Sequence, residues 1–247
     1  MRFQLYFLLP LFFAYHGYCQ PGFNQIYDLD APSCTFINGL LENDTIFLMG
    51  SFNQDSLPGV QGIFMLKADT NGNILNVFPY FDTEYKDLAF SERADIIRLD
   101  NGDFVTCGGY LSELSLFLIR FTTQGEVVLF KKIPLDSTTS AGQYELSFYK
   151  GGFLIHGILV NLQNKFNTYL IRTDQEGNVI WEKRYGAPGK DESSRCMKVL
   201  DENTIVIGST TGDFLTSPYI HSRIYAVDSL GEIKWTWQSP ANNEGLV

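Results

Sequence analysis

The chain has 247 residues with 28 acidic and 18 basic side chains, giving a formal net charge of −10 at pH 7. Nucleic acids and anionic membrane surfaces attract proteins that cluster Lys and Arg, and this sequence contains no basic run, so its composition argues against both as partners. The length is enough for one sizeable domain. We therefore expect an acidic protein without a nucleic-acid partner.

A short apolar segment opens the chain. After a basic start, residues 5–15 form an uncharged run rich in Leu and Phe, and residues 17–20 read Gly-Tyr-Cys-Gln, which offers a cleavage site. The run is too short to cross a bilayer, so it indicates a secretory signal peptide over residues 1–19 rather than a membrane span. We expect the remaining chain, residues 20–247, to be secreted or held at the cell surface; a retained N-terminal anchor is the alternative.

A predicted strand at Gln25–Leu29 is followed by hairpins that recur at a fixed interval. Each hairpin turn contains a glycine next to acidic or polar residues, and these glycines are 52 to 54 residues apart, at Gly72, Gly125, Gly177 and Gly231. Glycine supplies the positive φ that a tight hairpin turn needs. A constant period of this length is typical of a repeat architecture.

A second hairpin is predicted within each repeat. In the clearest copy, the runs Cys196–Leu200 and Thr204–Ser209 flank turn residues 201–203. Similar hairpins begin at Leu40, Arg98 and Phe148. Two hairpins per repeat give four short strands, and no stretch has the apolar spacing and caps of a helix.

Four-stranded units of this size fit the blades of a β-propeller, in which each blade buries its faces against its neighbours. A β-sandwich would not need a strict period, and a β-solenoid would use shorter repeats. We predict an all-β fold, a β-propeller of four-stranded blades with a repeat of about 52 residues. The predicted blades are approximately residues 32–81, 90–134, 143–186 and 193–239.

The strand count predicts an incomplete, open propeller. In a ring closed by exchanging strands between the termini, the last blade lacks the strand that the N-terminus supplies. Here the last unit has its own outer strand at Ile233–Gln238, although a strand is also predicted at Gln25–Leu29. Residues 239–247 resemble a loop into another inner strand, so we expect truncation at the C-terminus. A closed ring of four blades is the alternative.

The clearest repeat also resembles a known group of proteins. Residues 170–186 read apolar-apolar-Arg-Thr-Asp-x-x-Gly-Asn-Val-Ile-Trp-x-x-x-Tyr-Gly, and a Leu-Asp hairpin ending in Gly-Ser follows. This pattern resembles the repeats of secreted β-propeller proteins common in Bacteroidetes-type bacteria. The resemblance is strongest over residues 168–235 and weak before residue 62. It implies export, often by type IX secretion, and association with adhesive or sugar-binding modules.

A weaker resemblance concerns two tryptophans. The segments ending at Trp181 and Trp235 both read Asp-x-x-Gly-x-x-x-Trp, which resembles the tryptophan docking motif of quinoprotein dehydrogenases, whose propellers bind pyrroloquinoline quinone. In that family the tryptophan locks adjacent blades. The resemblance therefore implies that Trp181 and Trp235 are buried between blades and that Trp→Ala costs roughly 3 to 5 kcal/mol. We predict no quinone cofactor.

The metal-ligating residue types show no metal-site spacing. Cys34, Cys107 and Cys196 are left after signal removal, an odd number that signals neither a disulfide framework nor a zinc site, so we interpret them as buried or free thiols. His156 and His221 stand far apart and match no nucleophile motif. Because His156 ends an apolar strand, we expect it to pack in the core.

One turn contains residue types that bind calcium. Asp69, Asn71 and Asn73 could form part of a calcium loop, but Ile74 stands where the helix-flanked loop requires glycine. Asp and Asn are also the side chains that bond back into a hairpin turn. We interpret this segment as a hairpin turn and predict no metal site.

Two carboxylate pairs are candidates for chemistry. Asp87 with Glu92, and Asp191 with Glu192, lie in segments that enter an inner strand and could face a central channel. Glycosidases use two carboxylates as general acid plus base or nucleophile. Because acidic loop residues are also common on solvated surfaces, we assign no catalytic residue.

Two functional hypotheses follow. The first is a secreted or cell-surface non-catalytic propeller that acts as a binding or scaffold module for a protein or a glycan. The alternative is a secreted propeller enzyme, a hydrolase, lyase or quinone-dependent oxidoreductase, with convergent polar groups in the central channel.

Overall fold

A computed structural model describes residues 33–53, 61–80, 88–91, 93–110, 114–136, 138–214 and 220–240. These residues form seventeen strands and no helix, so the all-β prediction is confirmed. No helix in these ranges is long and apolar enough to span a membrane. The predicted signal peptide, the predicted strand at Gln25–Leu29, and the candidate residues Asp87 and Glu92 lie outside the described ranges.

The strands form four separate antiparallel sheets, each joining strands that follow one another in sequence. Sheet 1 contains β1 (Ser33–Glu42), β2 (Thr45–Asn53), β3 (Gln61–Asp69) and β4 (Ile74–Tyr80). Sheet 2 contains β5 (Leu88–Ala89), β6 (Ile97–Arg98), β7 (Phe104–Tyr110), β8 (Ser115–Phe121) and β9 (Val127–Pro134), with β5 and β6 both paired to β7.

Sheets 3 and 4 contain the clearest sequence repeat. Sheet 3 contains β10 (Thr138–Tyr149), β11 (Gly152–Asn161), β12 (Phe166–Asp174) and β13 (Val179–Tyr185). Sheet 4 contains β14 (Asp191–Asp201), β15 (Thr204–Gly212), β16 (Ile220–Val227) and β17 (Ile233–Gln238). The predicted outer and inner hairpins of this repeat are confirmed by the antiparallel pairs β12–β13 and β14–β15.

The outer hairpin turns of sheets 1, 3 and 4 use an acidic side chain and a glycine together, and the turn of sheet 2 uses Thr122 in place of the acid. At the turn of sheet 3, Gly177 has a φ of 76°. One Asp174 carboxylate oxygen accepts hydrogen bonds from the backbone N–H of Glu176 at 3.0 Å and of Asn178 at 2.8 Å. In sheet 1, Asp69 accepts the backbone N–H of Asn71 and Asn73 in the same way, which confirms the interpretation of that segment as a turn.

The core lies between consecutive sheets. Met49 and Met65 of sheet 1 pack in one cluster with Phe104 and Phe117 of sheet 2. Two further clusters join sheet 2 to sheet 3 and sheet 3 to sheet 4. The sheets therefore pack face to face in series, each burying one face against the next.

A glycine lies beneath an aromatic ring on the inner part of sheets 1 and 2. Gly50 pairs with Phe64, and Gly108 pairs with Phe117. A β carbon at either glycine would overlap the paired ring, so glycine is required there. The corresponding pair in sheet 4 is Ser209 with Arg223, and this exchange of apolar for polar groups positions the site described below.

The two tryptophans predicted to be buried differ from each other. Trp181 on β13 is half-buried and donates its Nε1–H to the Ser229 carbonyl at 3.2 Å. Trp235 on β17 is 49% exposed, so the prediction that it is buried is wrong. The turn of sheet 4 covers Trp181, whereas no strand or turn in the described ranges covers the same face of β17, whose six residues are all exposed.

The three cysteines of the described chain are free thiols, as expected. Cys107 is buried, Cys34 is intermediate and Cys196 is exposed. Burial raises the pKa of the Cys107 thiol, and the nearby carboxylates of Asp95 and Glu145 add to the effect. This thiol therefore stays protonated and uncharged in the core between sheets 2 and 3.

Candidate functional site

A cleft of about 300 Å³ opens on sheet 4, where the chain enters β14 and leaves β15. Cationic, imidazole, carboxylate and amide groups meet there. We call it the Arg223 cleft, and it is lined by Ala187, Lys190, Thr211, Gly212, Asp213, His221, Arg223 and Gln238. The predicted candidates Asp191 and Glu192 stand at the start of β14, directly beside it.

Glu192 holds the Arg223 side chain at the wall of the cleft. The Glu192 carboxylate is fully buried and accepts a hydrogen bond from the Ser209 hydroxyl. Its other oxygen lies 3.4 Å from Arg223 Nη1. The Arg223 guanidinium also stacks over the Tyr225 ring at 5.0 Å. A buried carboxylate requires such a partner, and the ion pair in turn fixes the orientation of the guanidinium.

Arg223 retains unused hydrogen-bonding capacity. Its Nε is buried and has no hydrogen-bond partner in the described part of the chain. Burial, followed by the charge of Glu192, raises the pKa of the Tyr225 hydroxyl beneath the guanidinium. Buried polar groups are nearly always satisfied by protein, water or ligand. Arg223 thus carries a donor that the described protein atoms leave unmatched.

Asp191 connects the loops that shape the cleft. Its two carboxylate oxygens accept the backbone N–H groups of Phe166 and Phe214, both at 3.1 Å. Lys165 lies 3.4 Å from Asp191 and 3.4 Å from Asp213. These contacts tie the β11–β12 connection to the segment after β15, and they place Asp213 at the cleft wall.

The predicted pair Asp191 and Glu192 is brought together but is not presented to solvent. Asp191 is 2% exposed and Glu192 is 0% exposed. All of the contacts described above are made to protein groups. A carboxylate that accepts several protein hydrogen bonds is held in place as a structural anchor, and here the two anchors position Arg223 and Asp213.

His221, for which the sequence predicted no role, lines the cleft from β16. Its Nδ1 lies 3.0 Å from the Ser239 carbonyl, so Nδ1 carries a hydrogen and donates it. In the neutral ring, Nε2 is then an acceptor. The cleft therefore offers a ligand both donors and acceptors.

A second acidic cluster was missed by sequence reasoning. Asn38 Nδ2 donates to the Ala94 carbonyl at 3.0 Å and to Asp95 at 3.3 Å. Burial raises the pKa of Asp95, and the charge of Glu145 raises it further. Side chains from sheets 1, 2 and 3 thus converge on one acidic group.

His156 belongs to the same cluster. It is 1% exposed, which confirms the expectation that it packs in the core. Its Nδ1 also lies 3.2 Å from Glu145, a contact that the sequence did not predict. Glu145 follows a bulge in β10, and Asn38 follows a bulge in β1. Bulges re-aim side chains, but their positions could not be located from this sequence.

Within the described ranges, no group of three or more His, Cys, Asp and Glu side chains is arranged to hold a metal ion. The Arg223 cleft places charge pairs and hydrogen-bonding side chains around an open volume.

No protein-family model and no curated protein matches this sequence. Among solved structures, the chain is similar to an α-L-arabinanase from Penicillium chrysogenum complexed with arabinobiose, with a TM-score of 0.55 and 12% sequence identity. The similarity covers 81% of this chain and 64% of that one. The fold is β-propeller-like. This chain spans less than two thirds of the length of the arabinanase propeller that it matches.

A second similarity is to a subtype N10 neuraminidase-like protein of A/little yellow-shouldered bat. It has a TM-score of 0.46 and 11% identity, and it covers 73% of this chain and 63% of that one. At this TM-score it adds nothing to the fold assignment.

Proposed function

We propose that this protein is a secreted or cell-surface β-propeller module that binds a glycan without hydrolysing it, and that the Arg223 cleft is its binding site. The observation that carries this proposal is the anchoring of Arg223 by buried Glu192 at the wall of a polar cleft. Sugar hydroxyls are recognised by fixed polar side chains of this kind, and a preorganised site loses little entropy on binding.

Two further observations support a glycan as the ligand and binding as the role. The arabinanase of similar fold was solved with arabinobiose bound. The carboxylates next to the cleft, Asp191 and Glu192, are buried and engaged by protein groups. Hydrolysis by a carboxylate pair needs both groups at the scissile bond. A binding role therefore suits these residues better than a catalytic one.

Export and an open arrangement of the blades are part of the same proposal. The apolar segment at residues 5–15 and the resemblance to secreted Bacteroidetes-type propeller repeats support export. In the described ranges, no strand or turn covers the exposed face of β17, which supports blades of an open propeller. A glycan outside the cell is the ligand that such a location makes accessible.

The test is a glycan-array screen, followed by calorimetric titration of the best-bound oligosaccharide. Arg223→Met is expected to abolish binding, because it removes the guanidinium that lines the cleft. Gln238→Leu, at an exposed cleft position, should weaken binding without touching the buried ion pair. Arg195→Met, an exposed arginine on β14, is the matched control. Absence of binding to every glycan, or equal binding by the two cleft variants and the wild type, would contradict the proposal.

An enzymatic role is the second candidate, and the Asp95 cluster favours it. Burial and the charge of Glu145 raise the pKa of Asp95, and a carboxyl group with a raised pKa near a second carboxylate is the pairing that glycosidases use. Incubation with arabinan and a panel of other polysaccharides tests it. If sugar release is detected, Asp95→Asn and Glu145→Gln should each abolish it. If none is detected, the non-catalytic proposal stands.

A further inference from the structure

The outer strand of each of the first three sheets contacts the hairpin turn of the sheet that follows. At the first junction, the Tyr80 hydroxyl donates to the Gly125 carbonyl at 2.9 Å. The Phe78 ring lies directly against Gly125, and a β carbon at that position would overlap it. The turn of sheet 2 is thus held by an aromatic ring and one hydrogen bond.

The second and third junctions repeat this contact. The Lys131 side chain lies over Gly177, where a β carbon would be 2.9 Å from Lys131 Cγ. At the third junction the Tyr185 hydroxyl donates to the Gly231 carbonyl at 2.9 Å. The Trp181 ring lies 3.0 Å from where a Gly231 β carbon would be.

The contacting side chains occupy fixed positions in the repeat. The residue six places after each sheet's own turn glycine covers the glycine of the next turn, at Phe78, Lys131 and Lys183. In sheet 3, the residue four places after the sheet's own turn glycine is Trp181. Its indole N–H donates to the carbonyl of the residue two places before the next turn glycine. The residues four and six places after the turn glycine of sheet 4 are therefore predicted to contact a glycine turn in the same way.

In sheet 4 the same two positions are Trp235 and Trp237. They are 49% and 48% exposed. They stand two residues apart on β17 and so project from one face of the strand. Two large indoles side by side on a surface form an apolar patch of the kind that marks an interaction site.

We propose that Trp235 and Trp237 form a turn-binding surface for a further β-propeller blade, which presents a hairpin turn of the Asp-x-x-Gly type. Trp237 covers the partner's turn glycine as Phe78 covers Gly125. Trp235 donates its indole N–H to the carbonyl two residues before that glycine, as Trp181 donates to Ser229. The required glycine is what gives the surface its specificity, since any β carbon would strike the Trp237 ring.

This inference is independent of the Arg223 cleft, because neither Trp235 nor Trp237 lines that cleft. It can fail while the glycan proposal holds, and the reverse is also true. The observation that decides the class of partner is internal to the chain, because three glycine turns already occupy the equivalent positions, and two of them, at Gly177 and Gly231, are of the Asp-x-x-Gly type.

The experiment uses the three tryptophans of the chain as reporters. In a Trp181→Phe variant of the full chain, only Trp235 and Trp237 fluoresce. The first probe is a disulfide-cyclised peptide with the sequence of residues 224–235, its tryptophan replaced by phenylalanine. Titration should shift the emission to the blue and protect the indoles from acrylamide. A control peptide with valine for the turn glycine should do neither, and Trp237→Ser should lose the response.

A second probe is used because the isolated peptide can bind too weakly to be detected. The chain is extended by a second copy of its residues 187–240, in which the added tryptophans are replaced by phenylalanine. Protection of Trp235 and Trp237 from acrylamide is then measured for this protein and for a variant with valine in place of the glycine of the added turn. Indoles that stay fully quenchable with both probes overturn the proposal. Protection that rises with protein concentration and that the peptide does not displace would assign the surface to a second copy instead. Protection by arabino-oligosaccharides that the peptide does not displace would assign it to a sugar.

Discussion

Gly125 and Gly151 share a left-handed backbone but differ in what surrounds them. Their φ values are 82° and 67°. A β carbon at Gly125 would overlap Phe78 of the preceding sheet, whereas one at Gly151 would meet nothing within 4 Å. We expect Gly151→Ala to cost about 1–2 kcal/mol from the backbone alone. Gly125→Ala should cost about 2–4 kcal/mol, because overpacking adds to the backbone penalty. Urea denaturation measures both, and equal losses would show that the junction contact is not tight.

Asp95 makes stability depend on pH in the direction opposite to that of the turn aspartates. Burial, followed by the charge of Glu145, raises its pKa in the folded state above the ordinary 3.8. The native state then binds the proton more tightly than the unfolded chain does. The free energy of unfolding therefore falls as pH rises from 3.8 through the folded pKa, and it stays lower at neutral pH.

Asp95→Asn should consequently raise the free energy of unfolding at neutral pH and flatten its slope in the acidic range. The amide retains an oxygen to accept the Leu146 N–H that Asp95 accepts now. Denaturation curves across the acidic to neutral range test this, with exposed Asp100→Asn as the control. A variant that is less stable at neutral pH would mean that the ionised carboxylate is needed.

Single residues were predictable where their role is local. The aspartate and glycine of the outer turns in sheets 1, 3 and 4 follow from the Asp-x-x-Gly pattern, because the carboxylate bonds to N–H groups two and four residues away. The contact of His156 with Glu145 was not predictable. It depends on the register of β10 against β11 across a bulge, and eleven residues separate the two side chains.

The hairpin turn is the element whose hydrogen bonds are predicted most completely by the sequence. Hydrogen bonds from the Asn178 side chain, and then from the backbone of Asn178 and Glu176, lower the pKa of Asp174 below its ordinary value of 3.8. The stabilisation by this carboxylate is therefore fully present above 3.8 and is lost as pH falls through the folded pKa. Asp174→Ala should lower the melting temperature at neutral pH and remove this acid sensitivity. Glu176→Ala, a neighbouring exposed acid, should change little; an equal effect of both would contradict the turn assignment.

The outer strands β13 and β17 carry similar sequences in different surroundings. Trp181 is half-buried against the turn of sheet 4 and hydrogen-bonded to it, so Trp181→Ala should cost about 2 kcal/mol, below the value for a fully buried aromatic. Trp235→Ala should change the free energy of unfolding by less than about 0.5 kcal/mol, as for other surface positions. Thermal and urea unfolding measure both. A large loss for Trp235→Ala would show that β17 is covered in solution.

This difference explains why burial of Trp235 was predicted wrongly. Both tryptophans follow the same Asp-x-x-Gly pattern, so the local sequence is equally favourable. Burial is decided by whether another sheet follows on that side, and a strand pattern contains no information about its neighbour. The strand itself was predictable from alternation and turn residues, whereas its solvent exposure was not.

At the scale of the molecule, the glycine period predicted four-stranded sheets because each turn fixes the position of a hairpin. The Arg223 cleft could not be predicted in the same way. Lys190, Asp213 and Arg223 come from three separate segments of the chain, and they meet only because β14, β15 and β16 pair side by side in sheet 4. The one signal that could have suggested it was Arg223 at a position where other repeats carry an aromatic residue.

The exposed face of β17 should also determine how the protein behaves in solution. An outer strand with six exposed residues and two indoles combines a strand edge with an apolar patch, and both features promote association. We expect the chain to self-associate increasingly with concentration in sedimentation velocity experiments. The Trp235→Ser/Trp237→Ser double variant should shift the distribution towards the monomer, since it removes the patch and leaves the fold intact. The matched control is Leu41→Ser/Leu162→Ser, which removes two exposed side chains that belong to separate sheets. If the wild-type chain sediments as a monomer at every concentration, or if both double variants act alike, the face of β17 does not drive association.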